Sequence, residues 1–138
     1  MNIDSIQNGF VIDHIPAGKG MTLYELLGLD ELNCSIALIK NVGSEKMGKK
    51  DIIKIDASID INFDIIGFIA PEVTVNIIKD GDIIEKKSME LPLTLTGVIR
   101  CKNPRCITTT EQEIVHKFKL TDKENRVYRC IYCETKAN

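Results

Sequence analysis

The chain has 138 residues, 43% of them hydrophobic, and a formal net charge of −2. This length is typical of one domain or two small ones, and the apolar content suffices for a packed core. No apolar run reaches 18 residues, which argues against a membrane-spanning helix. Charged residues are spread through the first twenty positions, so we expect no signal peptide and a cytoplasmic protein.

Strand-like and helical runs alternate through the first two thirds of the chain. Strand-like runs are rich in β-branched residues, whereas helical runs repeat apolar residues every three or four positions. The predicted elements are a strand at 10–15, a helix at 21–27 that stops at Gly28, strands at 35–39 and 51–55 around a loop at 41–48, a helix at 60–69 that stops at Pro71, and strands at 74–78 and 83–89 around an Asp-Gly turn.

This order, β-α-β-β-α-β with one added hairpin strand, predicts an α+β fold. It is typical of a ferredoxin-like (split βαβ) antiparallel sheet with two helices on one face. The other face then stays open for a ligand or a second subunit.

The last third predicts a small all-β domain. Residues 91–97 (LPLTLTG) form an extended connector whose leucines we expect to pack against one or both domains. Short strands are expected at 98–100, 115–120 and 127–129. We place the domain boundary between residues 92 and 93. Residues 1–96 have a net charge of −6 and residues 97–138 a net charge of +4, which suggests different partners for the two parts.

Four cysteines in the last third have the spacing of a metal site. Four residues separate Cys101 from Cys106, and two separate Cys130 from Cys133. Zn²⁺ favours four tetrahedral ligands, and four thiolates close its coordination shell without leaving room for water. The pattern therefore predicts one structural Zn²⁺ and a zinc-binding domain at residues 93–138.

Disulfides and a redox CxxC are the alternatives. The expected cytoplasmic location argues against disulfides. A redox motif would lie at a strand-to-helix turn, whereas Cys130 follows a strand-like run. The fifth cysteine, Cys34, we interpret as a small core residue.

Polar residues inside the predicted strands of the first domain suggest a ligand site. Asp13 and His14 end the first strand, Lys54 lies among isoleucines, and Lys86 lies in the last strand. For Lys54 taken alone, simple alternation toward solvent is the preferred explanation. If Asp13, Lys54 and Lys86 meet on the open face, the carboxylate could accept from a sugar and the ammonium groups could neutralise phosphates.

Catalysis in this chain has little support from the sequence. Asp13 and His14 are adjacent in a strand and should point to opposite faces, so they do not form a catalytic pair. No Walker motif, dinucleotide fingerprint or nucleophile elbow is present. His14 could equally be a surface residue or a phosphate ligand, and His116 is interpreted as structural or exposed.

Several segments together resemble the regulatory chain of aspartate carbamoyltransferase. They are GFVIDHIP at 9–16, MGKKDIIKI at 47–55, Ala70-Pro71, and Leu91-Pro92 leading to the four cysteines. The resemblance implies an allosteric domain that binds CTP and ATP, and a zinc domain that contacts a separate catalytic chain. It also implies homodimers of regulatory chains that bridge catalytic trimers, and a role in pyrimidine biosynthesis.

The resemblance also implies residues of the nucleotide site. It places Asp13 and Lys54 at the ribose, and His14 and Lys86 near the phosphates. Residues expected around the base are Ile3, Asp4, Ser5, Ile6, Asn76, Ile78 and Ile83.

The leading hypothesis is thus a non-catalytic regulatory subunit without contact to nucleic acid or membrane. The alternative is a zinc-ribbon protein that binds nucleic acid, because all four arginines lie in the positively charged second part. Against it, the whole chain is acidic and aromatic residues make up only 5%.

Overall fold

A computed structural model describes residues 6–137 of the chain. The chain divides into two compact units between Glu90 and Leu91. No helix in the described range is long and apolar enough to cross a membrane.

The first unit is a five-stranded antiparallel sheet. Its strands, in chain order, are β1 (Gly9–Pro16), β2 (Ser35–Ser44), β3 (Gly48–Asp56), β4 (Thr74–Lys79) and β5 (Asp82–Ser88). In space they lie in the order β2-β3-β1-β4-β5. Helices α1 (Gly20–Leu26) and α2 (Phe63–Ile69) complete the β-α-β-β-α-β order, with β5 added at the edge. The predicted α+β, ferredoxin-like architecture is confirmed.

The core of the first unit lies between the sheet and both helices. Ile12, Ile53 and Val75 are paired across three neighbouring strands and are fully buried, together with Leu23 of α1 and Ile66 of α2. Both helices therefore cover one face of the sheet. We call the opposite face, to which the intervening strand residues point, the open face.

The helix ends follow local chemistry. Gly28 adopts a left-handed conformation (φ 68°) after α1, as its predicted stop requires, and a short 3₁₀ turn (Leu29–Glu31) follows. Helix α2 begins later than predicted. Asn62 is its N-cap, and the Asn62 side-chain oxygen accepts from the backbone N–H groups of Asp64 and Ile65. The helix prediction over 60–62 was therefore wrong.

Two β-bulges distort the sheet beside β3. In β1 the bulge includes His14 (φ 61°), and in β2 it includes Asn41 (φ 58°). Beyond the second bulge, β2 continues to Ser44, and β3 begins at Gly48. Most of the predicted loop at 41–48 is therefore strand. The pairing continues because a bulge absorbs the extra residue without ending the ladder.

The second unit is a three-stranded antiparallel sheet with one helical turn. Strands β6 (Thr94–Thr96), β7 (Lys117–Asp122) and β8 (Val127–Cys130) are neighbours in that order, and α3 (Ile107–Thr110) lies between β6 and β7 in sequence. The buried side of the sheet carries Leu95, Phe118 and Tyr128. The predicted small strand-rich domain is confirmed, although α3 was not predicted.

Two predictions for the start of this unit were wrong. Residues 94–96, expected in a connector, form β6 and belong to the second unit, with Leu95 fully buried opposite Phe118 and Leu93 76% exposed. Residues 98–100, expected as a strand, form none, because Gly97 (φ 69°) turns the chain and its N–H donates to the His116 carbonyl.

Candidate metal centre and candidate effector face

The four predicted cysteine ligands converge in the second unit. The Sγ atoms of Cys101 and Cys133 lie 3.5 Å apart, and those of Cys106 and Cys130 lie 3.7 Å apart. All four sulfur atoms lie within 4.8 Å of one another. Four thiolates about 2.3 Å from one Zn²⁺ would be separated by about 3.8 Å, so the donor set fits one tetrahedral ion. Because all four positions are protein thiolates, the ion is structural.

Two backbone loops carry the ligands. Cys106 precedes α3 as its N-cap, and its N–H donates to the Asn103 carbonyl, which closes the first loop. Cys130 ends β8, and its carbonyl accepts from the Glu134 N–H (2.9 Å). Glu134 adopts φ 65°, which turns the chain back so that Cys133 faces the other sulfur atoms.

Neighbouring hydroxyl groups favour the thiolate form of two ligands. Thr108 Oγ1 lies 3.1 Å from Cys106 Sγ, and this hydrogen bond lowers the pKa of the Cys106 thiol. Thr135 Oγ1 lies 3.2 Å from Cys133 Sγ, and its hydroxyl and N–H lower the pKa of Cys133 to about 6. Cys spacing alone did not reveal either threonine, because hydroxyl partners follow no fixed spacing.

Burial has the opposite effect on Cys101. Loss of solvent raises the pKa of its thiol to about 12. A dication among the sulfur atoms offsets this penalty, since a thiol that coordinates a metal is deprotonated. His116 holds the same loop, as its Nδ1 accepts from the Cys101 N–H at 2.9 Å. Of the two interpretations of His116, structural or exposed, this contact supports the structural one.

On the open face of the first unit, the strand register aligns several predicted site residues. Ala37, Lys54, Val11, Asn76 and Lys86 are successive Cα partners across all five strands. Residues directly opposite each other share a face. Lys54 and Lys86 therefore lie on the same face, with Asn76 between them.

Alternation separates the two lysines of β5. Lys86 is paired with Asn76, but Lys87 is paired with the buried Val75, and its ammonium lies 4.5 Å from the centre of the Phe63 ring on the helix side. Only Lys86 of this pair belongs to the open face.

Asp13 lies on the open face and has a partner that the sequence did not suggest. Its carboxylate lies 2.9 Å from the Lys50 ammonium. Burial opposes ionisation of Asp13, but the Lys50 hydrogen bond and the His14 N–H outweigh it and hold the pKa below its usual value. Lys50 of β3 is the Cα partner of Pro16, on the far side of the bulge in β1, so the local sequence offers no reason to pair it with Asp13.

His14 and Asp13 do not alternate as a regular strand would require. The bulge places both residues opposite Ile52, and the His14 N–H donates to the Asp13 carboxylate. The regular alternation assumed in the sequence analysis is therefore interrupted at these two residues.

Two buried polar atoms of this sheet belong to β1 and β4. Within residues 6–137, His14 Nδ1 and Asn76 Oδ1 are buried and have no hydrogen-bond partner. Buried polar atoms are normally hydrogen-bonded, so both of these atoms are able to pair with a bound molecule.

The remaining predicted site residues lie near the turn between β4 and β5. Ile6 is buried, Ile78 is half-buried, and Ile83 is 54% exposed. The segment before β1 is held to this turn, since the Gly81 N–H donates to the Gln7 carbonyl and the Asp80 N–H to the Asn8 side chain. Predictions for Ile3, Asp4 and Ser5 lie outside the described residues.

Comparison with known proteins identifies both units. Residues 1–90 match the family model described as the allosteric domain of the aspartate carbamoyltransferase regulatory chain, and residues 94–138 match the model of its metal binding domain.

Curated aspartate carbamoyltransferase regulatory chains are similar over nearly the whole chain. One from Clostridium tetani is 52% identical over 97% of this chain and 94% of its own. One from Clostridium botulinum is 50% identical over 97% and 92%. One from Bifidobacterium longum is 46% identical over 99% of both. The chain therefore belongs to the family of aspartate carbamoyltransferase regulatory chains.

Proposed function

We propose that this chain is a non-catalytic subunit that binds nucleotide effectors and controls a separate catalytic chain. The nucleotide-binding domain, which we place at residues 1–92, comprises the compact first unit and binds CTP or ATP on its open face. The zinc-binding domain, which we place at residues 93–138, contacts the catalytic chain and depends on its zinc ion for folding. Regulatory chains pair as homodimers, and the assembly serves pyrimidine biosynthesis.

The observation that carries the nucleotide site is the row of paired residues on the open face. Adjacent strands are about 4.8 Å apart, so the α-carbons of Lys54 and Lys86 are separated by three spacings, or roughly 14 Å. The two lysines lie on the same face, at the two ends of this span. Such an arrangement suits an elongated anion such as a nucleoside triphosphate, because lysine binds phosphate as a point charge.

The buried polar atoms of Asn76 and His14 support the same proposal. Asn76 Oδ1 is an acceptor between the two lysines, and both cytosine and adenine carry an exocyclic amino group that can donate to it. His14 Nδ1 lies beside Asp13 at the end of β1. We assign Asp13 and Lys54 to the ribose, His14 and Lys86 to the phosphates, and Asn76, Ile78 and Ile83, with residues 3–6, to the base.

Control of the partner requires that the nucleotide bind two states of the assembly unequally. Such coupling is typically about 1–3 kcal/mol. We propose that binding at the open face changes the population of these states, and that the catalytic chain responds in its rate of carbamoyl transfer.

Calorimetric titration of CTP and ATP into the chain tests the nucleotide site. Lys54→Ala and Lys86→Ala each remove a charge-assisted hydrogen bond, worth about 1.5–3 kcal/mol, so affinity should fall by roughly 10- to 150-fold. Lys87→Ala is the matched control, since this neighbouring lysine lies on the helix side. Unchanged affinity in both open-face variants would place the nucleotide elsewhere.

A further inference from the structure

A polar cavity lies beside the first cysteine loop of the second unit. Its volume is about 490 Å³, within the range of about 300–1,000 Å³ that is usual for small-molecule sites. The residues that line it are Arg100, Cys101, Thr108, Thr109, Gln112 and His116. None of them is acidic, and all except Cys101 carry a nitrogen or oxygen atom in the side chain. This lining suits a polar ligand rather than an apolar one.

Two of the polar side chains in the cavity are free of partners. The hydroxyl groups are already engaged, since Thr109 Oγ1 donates to the Cys106 carbonyl at 2.7 Å and Thr108 Oγ1 is hydrogen-bonded to Cys106 Sγ. Among residues 6–137, by contrast, the Arg100 guanidinium and the Gln112 side-chain amide have no hydrogen-bond or ion-pair partner. Both groups can therefore donate to a molecule in the cavity.

His116 supplies a third donor. Its Nδ1 accepts from the Cys101 N–H at 2.9 Å, so the neutral ring carries its hydrogen on Nε2. Within the described range, Nε2 has no partner. Arg100, Gln112 and His116, which we call the donor cluster, come from three places in the sequence: just before the first cysteine, just after α3 and just before β7. A few polar groups that converge in a cavity are typical of a ligand site.

The charge beside the cavity favours a ligand with one negative charge over a ligand with two. Cys101 lines the cavity, and a zinc ion with four thiolates has a net charge of −2. Repulsion from this centre grows with the charge of the ligand. Arg100, Lys102 and Arg105, in a loop without acidic residues, offset that repulsion. A carboxylate is therefore a better match than a phosphate monoester, whose charge is about −1.5 to −2 near neutral pH.

We propose that this cavity binds the carboxylate group of a small metabolite, an inference that goes beyond the function proposed above and does not depend on it. The planar fork of Arg100 can donate two parallel hydrogen bonds to the two carboxylate oxygens. The Gln112 amide and His116 Nε2 can donate to the lone pairs that remain. At about 30 Å³ per water molecule in the liquid, the cavity has the volume of roughly 16 waters, which is enough for a molecule the size of an amino acid.

NMR titration of the full, zinc-loaded chain labelled with ¹⁵N tests the inference. The probes are acetate, the larger monocarboxylate N-acetylglycine and inorganic phosphate, each compared with sodium chloride at equal ionic strength. We expect the side-chain signals of Arg100 and Gln112 to shift saturably with both carboxylates and to stay in place with chloride.

Three variants locate the binding. Arg100→Gln removes the guanidinium and should weaken acetate binding at least tenfold. Gln112→Glu places a negative charge in the cavity and should weaken acetate binding by at least as much. Arg105→Gln is the matched control, because it removes the same charge from the same loop at an exposed residue that does not line the cavity, and its affinity should stay within twofold of the parent. Zinc content and circular dichroism verify the fold of all three variants.

Several outcomes would overturn the site. They are the absence of saturable shifts in the donor cluster with either carboxylate, shifts confined to the first unit, and equal weakening by Arg100→Gln and Arg105→Gln. Phosphate that binds the donor cluster more tightly than acetate does would overturn the choice of a carboxylate in favour of a phosphate ligand. Each of these results leaves the nucleotide site on the open face standing, because calorimetry with CTP and ATP tests that site separately.

Discussion

Asp51 is the residue on which we base the most specific prediction for stability. Its carboxylate is fully buried and accepts three backbone N–H groups, from Gly18 at 3.1 Å and Gly20 at 3.0 Å on Oδ2, and from Asn41 at 3.1 Å on Oδ1. Through these contacts Asp51 joins the loop before α1 to the bulge in β2. Space around it is tight, since a β-carbon added at Gly20 would lie 2.8 Å from Asp51 Oδ2.

The substitution Asp51→Asn keeps the size of the side chain but changes its hydrogen bonding. The amide oxygen can still accept from Gly18 and Gly20, although these become neutral hydrogen bonds of about half the strength. The amide nitrogen then faces the Asn41 N–H, donor against donor, and leaves it unsatisfied at a cost of about 1–3 kcal/mol. Relief from burying a charge offsets part of the loss. We therefore expect the free energy of unfolding to fall by about 2–4 kcal/mol.

Urea denaturation followed by circular dichroism measures the effect. With a slope of about 1–1.5 kcal/mol per molar urea, the midpoint of the first unit should fall by roughly 1.3–4 M. Asp56→Asn is the control with the same charge change, because the hydrogen bond that Asp56 accepts from Gln7 is long, at 3.4 Å. Amide exchange should accelerate at Asn41 in particular. Equal midpoints for the two variants would refute the role given to Asp51.

Three further predictions follow from the two units. In Cys106→Ser, metal analysis should find less than half a zinc ion per chain. The second unit should unfold while the first stays folded, because metal binding and folding are coupled in the second unit. A full complement of zinc in this variant would contradict the assignment of Cys106 as a ligand. In thermal melts, Leu95→Ser should destabilise the second unit by about 3–5 kcal/mol, because Leu95 is fully buried. Leu93 is exposed, so Leu93→Ser should change the stability of this unit by less than about 0.5 kcal/mol. Equal effects of the two substitutions would show that burial does not decide the outcome. The pKa of Asp13 is lowered in the folded state, so its contribution to stability is complete above pH 4–5 and is lost as pH falls below about 4. The difference in unfolding free energy between the parent and Asp13→Asn should therefore shrink in acid. A difference that does not change with pH would mean that the Lys50 contact is not ionic.

The chemistry of the metal site could be read from the sequence. Two cysteine pairs at short spacing already define four soft ligands, and the requirement of Zn²⁺ for a tetrahedron supplies the missing geometry. The structure then places the four sulfur atoms at distances that fit. The supporting threonines, Thr108 and Thr135, could not be predicted, because a hydroxyl contributes only when the folded loop turns it toward a sulfur.

The architecture of the first unit was also accessible from the sequence. Apolar residues repeat with a period of two in strands and about 3.6 in helices, so element types and their order follow from local pattern. The same alternation predicted that Lys54 and Lys86 face away from the core. Glycine and proline signals located the turns, although helix α2 began three residues later than expected because Asn62 caps it.

Other features depended on contacts between residues far apart in sequence. The bulges at His14 and Asn41 shift the strand register, and Asp51 stabilises one of them with hydrogen bonds that span 10 to 33 residues. Residues 94–96 became a strand because β7 supplies hydrogen-bond partners that the local sequence does not contain.

Local periodicity and ligand spacing therefore determined which elements form and which ion the chain can hold. Only the tertiary structure decided the strand register, which aligns Lys54, Asn76 and Lys86 on one face of the first unit. The physical reason is that register depends on pairing between distant strands, and a bulge of a single residue changes which side chains face each other.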